Sequence, residues 1–270
     1  MRRVDSNIYD EKYFLETDGA GYFFNNKVAP KFLQAVCLSG ADSDDFVLDL
    51  GCGRGDLLVA LAQTNARVIG LDYSTEALKI TQKTVSGLDG GKNIKVVNAD
   101  ASKLGFADQT FDFVFMMDIV EHLYPEQLQS CFAECYRVLK DDGSLIIHTS
   151  PNKWYNDYGY PCWEQRINKF LNKLFKQNLL TRPIRTEMDI KVHINEQTTT
   201  SLKKALSDAR FKSKVWLGNE YVTPAKKGAP LMRVLEICRQ VLCHAFPLSL
   251  FPPLNYLFSN NIWAIAKREP

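Results

Sequence analysis

The 270-residue sequence contains no C-x-x-C pair, and its seven cysteines (Cys37, Cys52, Cys131, Cys135, Cys162, Cys238 and Cys243) are odd in number. The usual zinc and dithiol spacings are therefore missing, no complete disulfide framework is implied, and a reducing, cytoplasmic setting is expected. Cys131/Cys135 and Cys238/Cys243 fall in apolar helical patterns, where a buried free thiol is the ordinary reading. Long apolar runs are missing as well. The greasiest stretch, FPLSLFPPLNYLF at 246–258, is interrupted by prolines and too short to span a bilayer. The opening MRRVDSNIYDEKYF has two arginines with no apolar segment behind them, so a secretory signal is not expected. No long block of one charge sign occurs, and a formal net charge of +2 argues against a nucleic-acid partner. What is present, 46% hydrophobic and 24% charged residues, suits a globular chain with one core domain and a substantial cap.

Between 46 and 150, short apolar β-branched runs alternate with segments of helical period, the pattern of a parallel sheet with crossover helices. The expected strands are FVLDL (46–50), RVIGLD (67–72), IKVVNA (94–99), FDFVFMM (111–117) and SLIIHTS (144–150), with helices near 55–64, 74–86 and 125–140. A further helix, TTTSLKKALSDARF (198–211), has Leu202, Ala205, Leu206 and Ala209 at core spacing and threonines available as N-cap. It feeds FKSKVWL (211–217), and NIWAIAKR (261–268) closes the chain. The fold class is α/β: seven strands in doubly wound, mostly parallel order, the last two a hairpin split by an insertion. Two segments stand outside the alternation and are read as helical caps over the carboxyl ends of the strands. The segmentation is thus an N-terminal part (1–45), a core (46–150), a first cap (151–191), a core helix and strand (192–218), a second cap (219–260) and a final strand (261–270).

VLDLGCGRGD, Val47 to Asp56, sets three alternate glycines directly after the first strand. A phosphate-cradling G-x-x-x-x-G-K-[ST] loop is absent, which disfavours a nucleoside triphosphate. A dinucleotide turn needs G-x-G-x-x-G, whereas Gly51-x-Gly53-x-Gly55 is one residue short and has Asp49 at its mouth. An acid repels pyrophosphate and attracts an α-ammonium group, so a zwitterionic ligand is favoured. Asp72, at the end of the second strand, lies at the spacing (about 20 residues) at which an acid accepts from ribose hydroxyls, a role NAD would use equally. Asp100 and Ala101, after the third strand, offer a carboxylate to an exocyclic adenine amine and a backbone N–H to the ring.

Together VLDLGCGRGD, VIGLDYS, NADASKLGFADQTFDFVFMMDIVEHL and CFAECYRVLKDDGSLIIHTSPN resemble the class I S-adenosylmethionine-dependent methyltransferases, with a looser likeness in SLKKALSDARFKSKVWL. The resemblance implies a Rossmann-like sheet of order 3-2-1-4-5-7-6 and S-adenosylmethionine as cofactor. It places Asp49, Gly51, Cys52 and Gly53 around the methionine moiety, Asp72 at the ribose, and Asp100 and Ala101 at the adenine, with Tyr73 a further cofactor-binding residue. Met117 and Asp118 would line the sulfonium side, and Tyr9 and Tyr13 would belong to an N-terminal lid. Arg210 stands where glycine is common in the family, a departure that touches a turn rather than the cofactor site.

Methyl transfer from a sulfonium needs a positioned acceptor and, for oxygen or nitrogen, a group that can take up or polarise its proton. No metal cluster is required and none is expected. The candidate catalytic residues are His148, Asp118 and His122, with Glu121 as a further acid; a hydrogen-bonded structural role is the competing reading of His122. His193 precedes a helix and His244 lies in the second cap. Trp154, Tyr155, Tyr158 and Tyr160 are candidate pocket walls. The expected reaction is methylation of a small-molecule acceptor, on an oxygen of a saccharide, lipid-linked intermediate or secondary metabolite. The competing readings are a nicotinamide oxidoreductase and a non-catalytic cofactor-binding or partner protein of the same fold. WEQRINKFLNKLFKQNLL reads as a basic amphipathic helix, either a solvated face or a surface for membrane lipid or a lipid-linked substrate.

Overall fold

The computed structural model describes residues 4–5, 8–9, 11–16, 27–175, 181, 185, 187–218 and 255–268. Seven strands, β1 (Phe46–Leu50), β2 (Arg67–Asp72), β3 (Ile94–Asn98), β4 (Phe111–Met117), β5 (Leu139–Thr149), β6 (Phe211–Gly218) and β7 (Asn261–Arg268), form one sheet. Their order, β3-β2-β1-β4-β5-β7-β6, is the one the resemblance implies. β1 to β5 are parallel, while β7 runs antiparallel to both β5 and β6. The helices among the described residues are α1 (Glu11–Glu16), α2 (Pro30–Ser39), α3 (Asp56–Leu61), α4 (Thr75–Ser86), α5 (Pro125–Val138), α6 (Gln165–Phe175), α7 (Glu187–Val192), α8 (Thr199–Asp208) and α9 (Asn255–Phe258).

The central strands are apolar on both faces because helices cover both. Val47 packs with Phe32 of α2, Leu57, Leu58 and Leu61 of α3, and Leu78 of α4. Leu48 and Leu50 join the opposite layer, with Leu128, Cys131, Phe132 and Cys135 of α5 and Leu202 and Leu206 of α8. The four α5 residues recur at i, i+3, i+4 and i+7, so one helix face supplies them all. Cys131 and Cys135 are accordingly buried free thiols. Ser74 caps α4, accepting from the Ala77 N–H at 3.2 Å, and Thr198 caps α8, accepting from the Ser201 N–H at 3.0 Å. Arg210 adopts φ +66° in the turn after α8, the backbone state that explains a glycine preference there.

The largest boundary difference from expectation lies between α5 and β5. α5 ends at Val138, and β5 opens at Leu139 rather than at 144. Leu139 pairs with Phe111 and Ser144 with Phe113, so the intervening KDDG run is an irregularity in the ladder rather than an extension of the helix. Lys140 holds it by pairing with Asp112 at 2.8 Å, and the Asp112 carboxylate also accepts from the Phe46 N–H at 2.9 Å. A polar, ion-paired start to a strand has none of the apolar alternation by which strands are read from sequence. In the second cap, residues 219–254, with the expected helix PLMRVLEICRQVLCHAF, Cys238, Cys243 and His244, lie outside the described residues.

The segment leaving β5 is tied to the segment entering β7 by Asn152. Its N–H donates to the Asn260 carbonyl at 2.5 Å and its side-chain amide to the Ser259 carbonyl at 2.9 Å, with Asn152 and Ser259 both buried. Removing that amide leaves a buried carbonyl unpaired. Asn152→Ala is expected to lower the unfolding free energy by about 1–3 kcal/mol in urea titrations. A change within about 0.5 kcal/mol, the range of an ordinary surface substitution, would contradict the assignment.

Candidate active site

At the carboxyl edge of β1 the chain turns so sharply that the Gly51 and Cys52 N–H groups both donate to the Leu71 carbonyl, at 2.7 and 2.9 Å. Gly51 has φ +79°, and a Cβ there would lie 2.6 Å from Ile119 Cδ1. The turn thus needs glycine both for its backbone state and for the approach of the loop after β4. Gly53 N–H donates to Asp72 Oδ2 at 3.0 Å, and Ser74 N–H to Asp72 Oδ1 at 2.8 Å, so one carboxylate fixes the loops after β1 and β2. With the Tyr73 N–H also against it, the carboxylate keeps at least one lone pair for a ligand donor.

Asp49 sits beneath this turn, 1% exposed, and its Oδ2 has no hydrogen-bond partner. Burial, reinforced by the Asp72 and Asp56 carboxylates, pushes its pKa up to about 8. A buried acid without a partner is costly, and a cationic ligand would relieve it. Asp49, Gly51, Cys52, Gly53, Asp72, Tyr73, Asp100, Ala101, Met117 and Tyr13 all line a single cavity, together with Asp118 and His122. Asp100 is oriented by Ser102, whose N–H and hydroxyl donate to Oδ1 at 2.8 and 2.6 Å.

The other end of the cavity is built around Asp118, held at φ +55° just past β4. Lys31 of α2 lies 2.8 Å from Asp118 Oδ2, and His148 Nδ1 lies 2.5 Å from Oδ1. Burial works against ionisation of Asp118, but the Lys31 ammonium and His148 outweigh it and hold the carboxyl well below the usual carboxylate range. His148 itself is fully buried against the Trp263 ring and is not part of the cavity wall. The side chain that sequence reading put beside the acceptor therefore stands behind Asp118. Glu121 is also buried; it accepts from the Thr149 hydroxyl at 2.7 Å, and burial with the nearby Asp118 charge raises its pKa to about 8.

His122 lines the cavity with both ring nitrogens engaged. It meets the Tyr9 hydroxyl at 3.0 Å through Nδ1 and bonds the Val192 main chain, while burial lowers its pKa to about 3. Its ring also meets that of His193 at 4.9 Å, and Glu121, His122 and His193 bring ligand-type atoms within 4.8 Å of one another. Those residues could approach a cation, though His122 would have to give up one of its present bonds. The cluster joins positions 72 and 71 residues apart, too far for any metal spacing to reveal it.

The N-terminal segment covers the cavity through Tyr9, Tyr13 and Phe14. Its latch is Arg54, buried, donating from Nη1 to the Phe14 carbonyl at 2.6 Å while Nε pairs with Asp56 at 2.6 Å. Ser74 Oγ adds a bond to the Tyr9 carbonyl at 3.1 Å. Arg54 reads in sequence as a helix-start residue; neither it nor Lys31 belongs to a local motif that would signal these contacts. The expected aromatic walls are absent from the cavity. Tyr155 and Tyr160 are buried in the π-helical stretch Tyr155–Glu164, Trp154 packs on Tyr256 at 4.4 Å, and Tyr158 is exposed. Proximity to the end of β5 is outweighed there by the Asn152 tie, which turns the segment toward α9.

Residues 47–143 match a family model described as a methyltransferase domain. A demethylmenaquinone methyltransferase of Lactobacillus johnsonii is 40% identical over 110 residues, covering 39% of this chain and 44% of that protein. A ubiquinone biosynthesis O-methyltransferase of Haemophilus ducreyi is 35% identical over 108 residues, covering 38% and 44%. The chain spans less than half the length of these curated relatives. The structure of a SAM-dependent methyltransferase from Archaeoglobus fulgidus superposes with TM-score 0.55 at 19% identity, over 92% of this chain and all of that one, a likeness of fold. Residues 47–143 thus match a methyltransferase domain, and the sheet order and glycine turn give the chain the Rossmann-like fold of the class I S-adenosylmethionine-dependent methyltransferases.

Proposed function

We propose that the chain transfers a methyl group from S-adenosylmethionine to an oxygen of a small-molecule acceptor, of the saccharide, lipid-linked or secondary-metabolite class. The observation that carries the reading is the unpartnered, buried Asp49 oxygen beside the glycine turn. It fits the α-ammonium of the cofactor, and the Gly51 cradle leaves room for backbone approach where a side chain would collide with Ile119. The relatives named for demethylmenaquinone and for ubiquinone O-methylation support a small-molecule acceptor, and the second supports oxygen.

Asp72 would hold the ribose hydroxyls, Asp100 and Ala101 the adenine, and Cys52, Tyr73, Met117 and Tyr13 would close the walls. When bound, S-adenosylmethionine supplies a methyl group already activated by a sulfonium. The chain's own work is then positioning and exclusion of water. Asp118, kept ionised by Lys31 and His148, accepts a hydrogen bond from an acceptor hydroxyl and aims its oxygen into the cavity. Its low basicity suits orientation and charge before transfer; as the O–C bond forms and the C–S bond breaks, the now strongly acidic hydroxyl proton passes through Asp118 to solvent. His148 acts through Asp118 as a positioning residue. Tyr9 and His122 keep the N-terminal cover in place over the reacting atoms.

The direct test is formation of S-adenosylhomocysteine with a panel of hydroxylated acceptors; no turnover with any acceptor, despite cofactor binding, would favour a non-catalytic partner role. Asp118→Asn is expected to lower turnover at least about tenfold, about 1.4 kcal/mol, with cofactor affinity nearly unchanged. Equal turnover would remove Asp118 from the acceptor end.

Asp49 gives a second prediction, in the cofactor-free protein. The unfolded chain ionises this carboxyl near 3.8, whereas the folded chain holds its proton to about 8. The folded state binds the proton more tightly, so this contribution to stability is full below the lower value and lost as pH rises to the upper one. Glu121 acts with the same sign. His122, whose folded pKa lies below its ordinary 6.5, acts with the opposite sign below about pH 6.5, so the readout is a difference: between about pH 4 and about pH 8 the urea midpoint of Asp49→Asn should fall less with pH than that of the unaltered chain. The same substitution should weaken S-adenosylmethionine binding roughly 100-fold or more in calorimetry, because it removes one partner of a buried pair. An unchanged pH slope or an unchanged affinity would contradict the assignment of the turn.

A further inference from the structure

Among the described residues eight large hydrophobic side chains are exposed, and six of them, Tyr158, Ile167, Phe170, Leu174, Met188 and Ile190, lie between β5 and α8. Three belong to α6. There Ile167, Phe170, Leu171 and Leu174 recur at i, i+3, i+4 and i+7 and share one face, on which Ile167, Phe170 and Leu174 are 47%, 63% and 59% exposed. An amphipathic helix of a globular protein ordinarily turns such a face inward. α6 does the reverse: its buried flank is polar, with Asn168 6% exposed and Asn172 half-buried. The opposite flank carries Arg166, Lys169 and Lys173, all exposed and none in an ion pair with a described residue.

We propose that this face of α6 docks the chain on an anionic lipid bilayer, the apolar side chains entering the headgroup boundary while Arg166, Lys169 and Lys173 meet lipid phosphates. An apolar stripe bordered by cations is complementary to a leaflet that offers hydrocarbon and negative charge along one plane. The helix lies on the surface, since its 11 residues, about 16 Å, cannot cross a bilayer. A second copy of the chain is the poorer occupant, because a two-fold contact over the same face would bring three cations toward their copies. The proposal rests on this surface alone and holds whichever acceptor the cavity takes.

The test is flotation of the full chain with phosphatidylglycerol-containing vesicles, beside pure phosphatidylcholine vesicles and with sedimentation velocity in parallel. Binding to the anionic vesicles is expected, weakened roughly 100-fold on neutral ones, about fivefold for each of the three cations. The double substitution Phe170→Glu with Leu174→Glu should abolish it while leaving the melting temperature and S-adenosylmethionine affinity unchanged. Absence from anionic vesicles, equal flotation with neutral ones, or undiminished flotation of the double variant would overturn the proposal. So would a dimer that the same substitutions dissociate, which would assign the face to a second copy.

Discussion

A carboxylate buried without a partner is the constraint around which the site is arranged. Asp49 is carried on β1, whose pairing with β2 and β4 fixes it at the centre of the sheet. Among the described residues its surroundings supply two further acids and no cation to satisfy Oδ2. A protein retains such a group at a cost in stability, and the cost makes sense when a ligand brings the missing charge. The glycine turn above it serves the same end: it clears side-chain volume from the approach and aims backbone N–H groups at Leu71 and Asp72, which locks the loops after β1 and β2 together.

The remainder of the cavity is assembled from elements distant in sequence, each anchored to that rigid edge. Arg54, next to the turn, latches the N-terminal segment through the Phe14 carbonyl. Lys31 reaches from α2 to Asp118, and His148 reaches from β5 to the same carboxylate. The two ends of the cavity therefore have opposite electrostatic characters. At Asp49 burial, reinforced by the neighbouring acids, favours the protonated form, whereas at Asp118 a cation and an imidazole outweigh burial and favour the ionised one. In the proposed function that asymmetry would separate a place for an ammonium from a place for a hydroxyl, and it follows from which strand end each acid occupies.

The sheet was legible because parallel strands buried on both faces leave uninterrupted apolar runs, and the turn was legible because its glycines and Asp49 are contiguous. Nine of the ten cofactor-side residues read from sequence come from strand ends, where the fold itself brings them together; the tenth, Tyr13, comes from α1. The residues that escaped, Lys31, Arg54 as a latch, and His193 against His122, act across long separations and belong to no periodic pattern. His148 shows the limit differently: alternation on β5 gives two faces, and only the packing of Trp263 from β7 reveals that its ring faces inward rather than into the cavity. The aromatic run after β5 misled for a related reason, because nearness in sequence to a strand end carries no information about which way the following chain turns.

The central claim is that the glycine turn and its buried acid recognise the amino-acid portion of the ligand. It is tested most directly by comparing, in calorimetry with the unaltered protein, S-adenosylhomocysteine with its analogue lacking the α-amino group. The account predicts that loss of the amine weakens binding roughly 100-fold, about 2.7 kcal/mol, as expected when the partner of a buried charge is withdrawn. Equal affinity for the two ligands would contradict it.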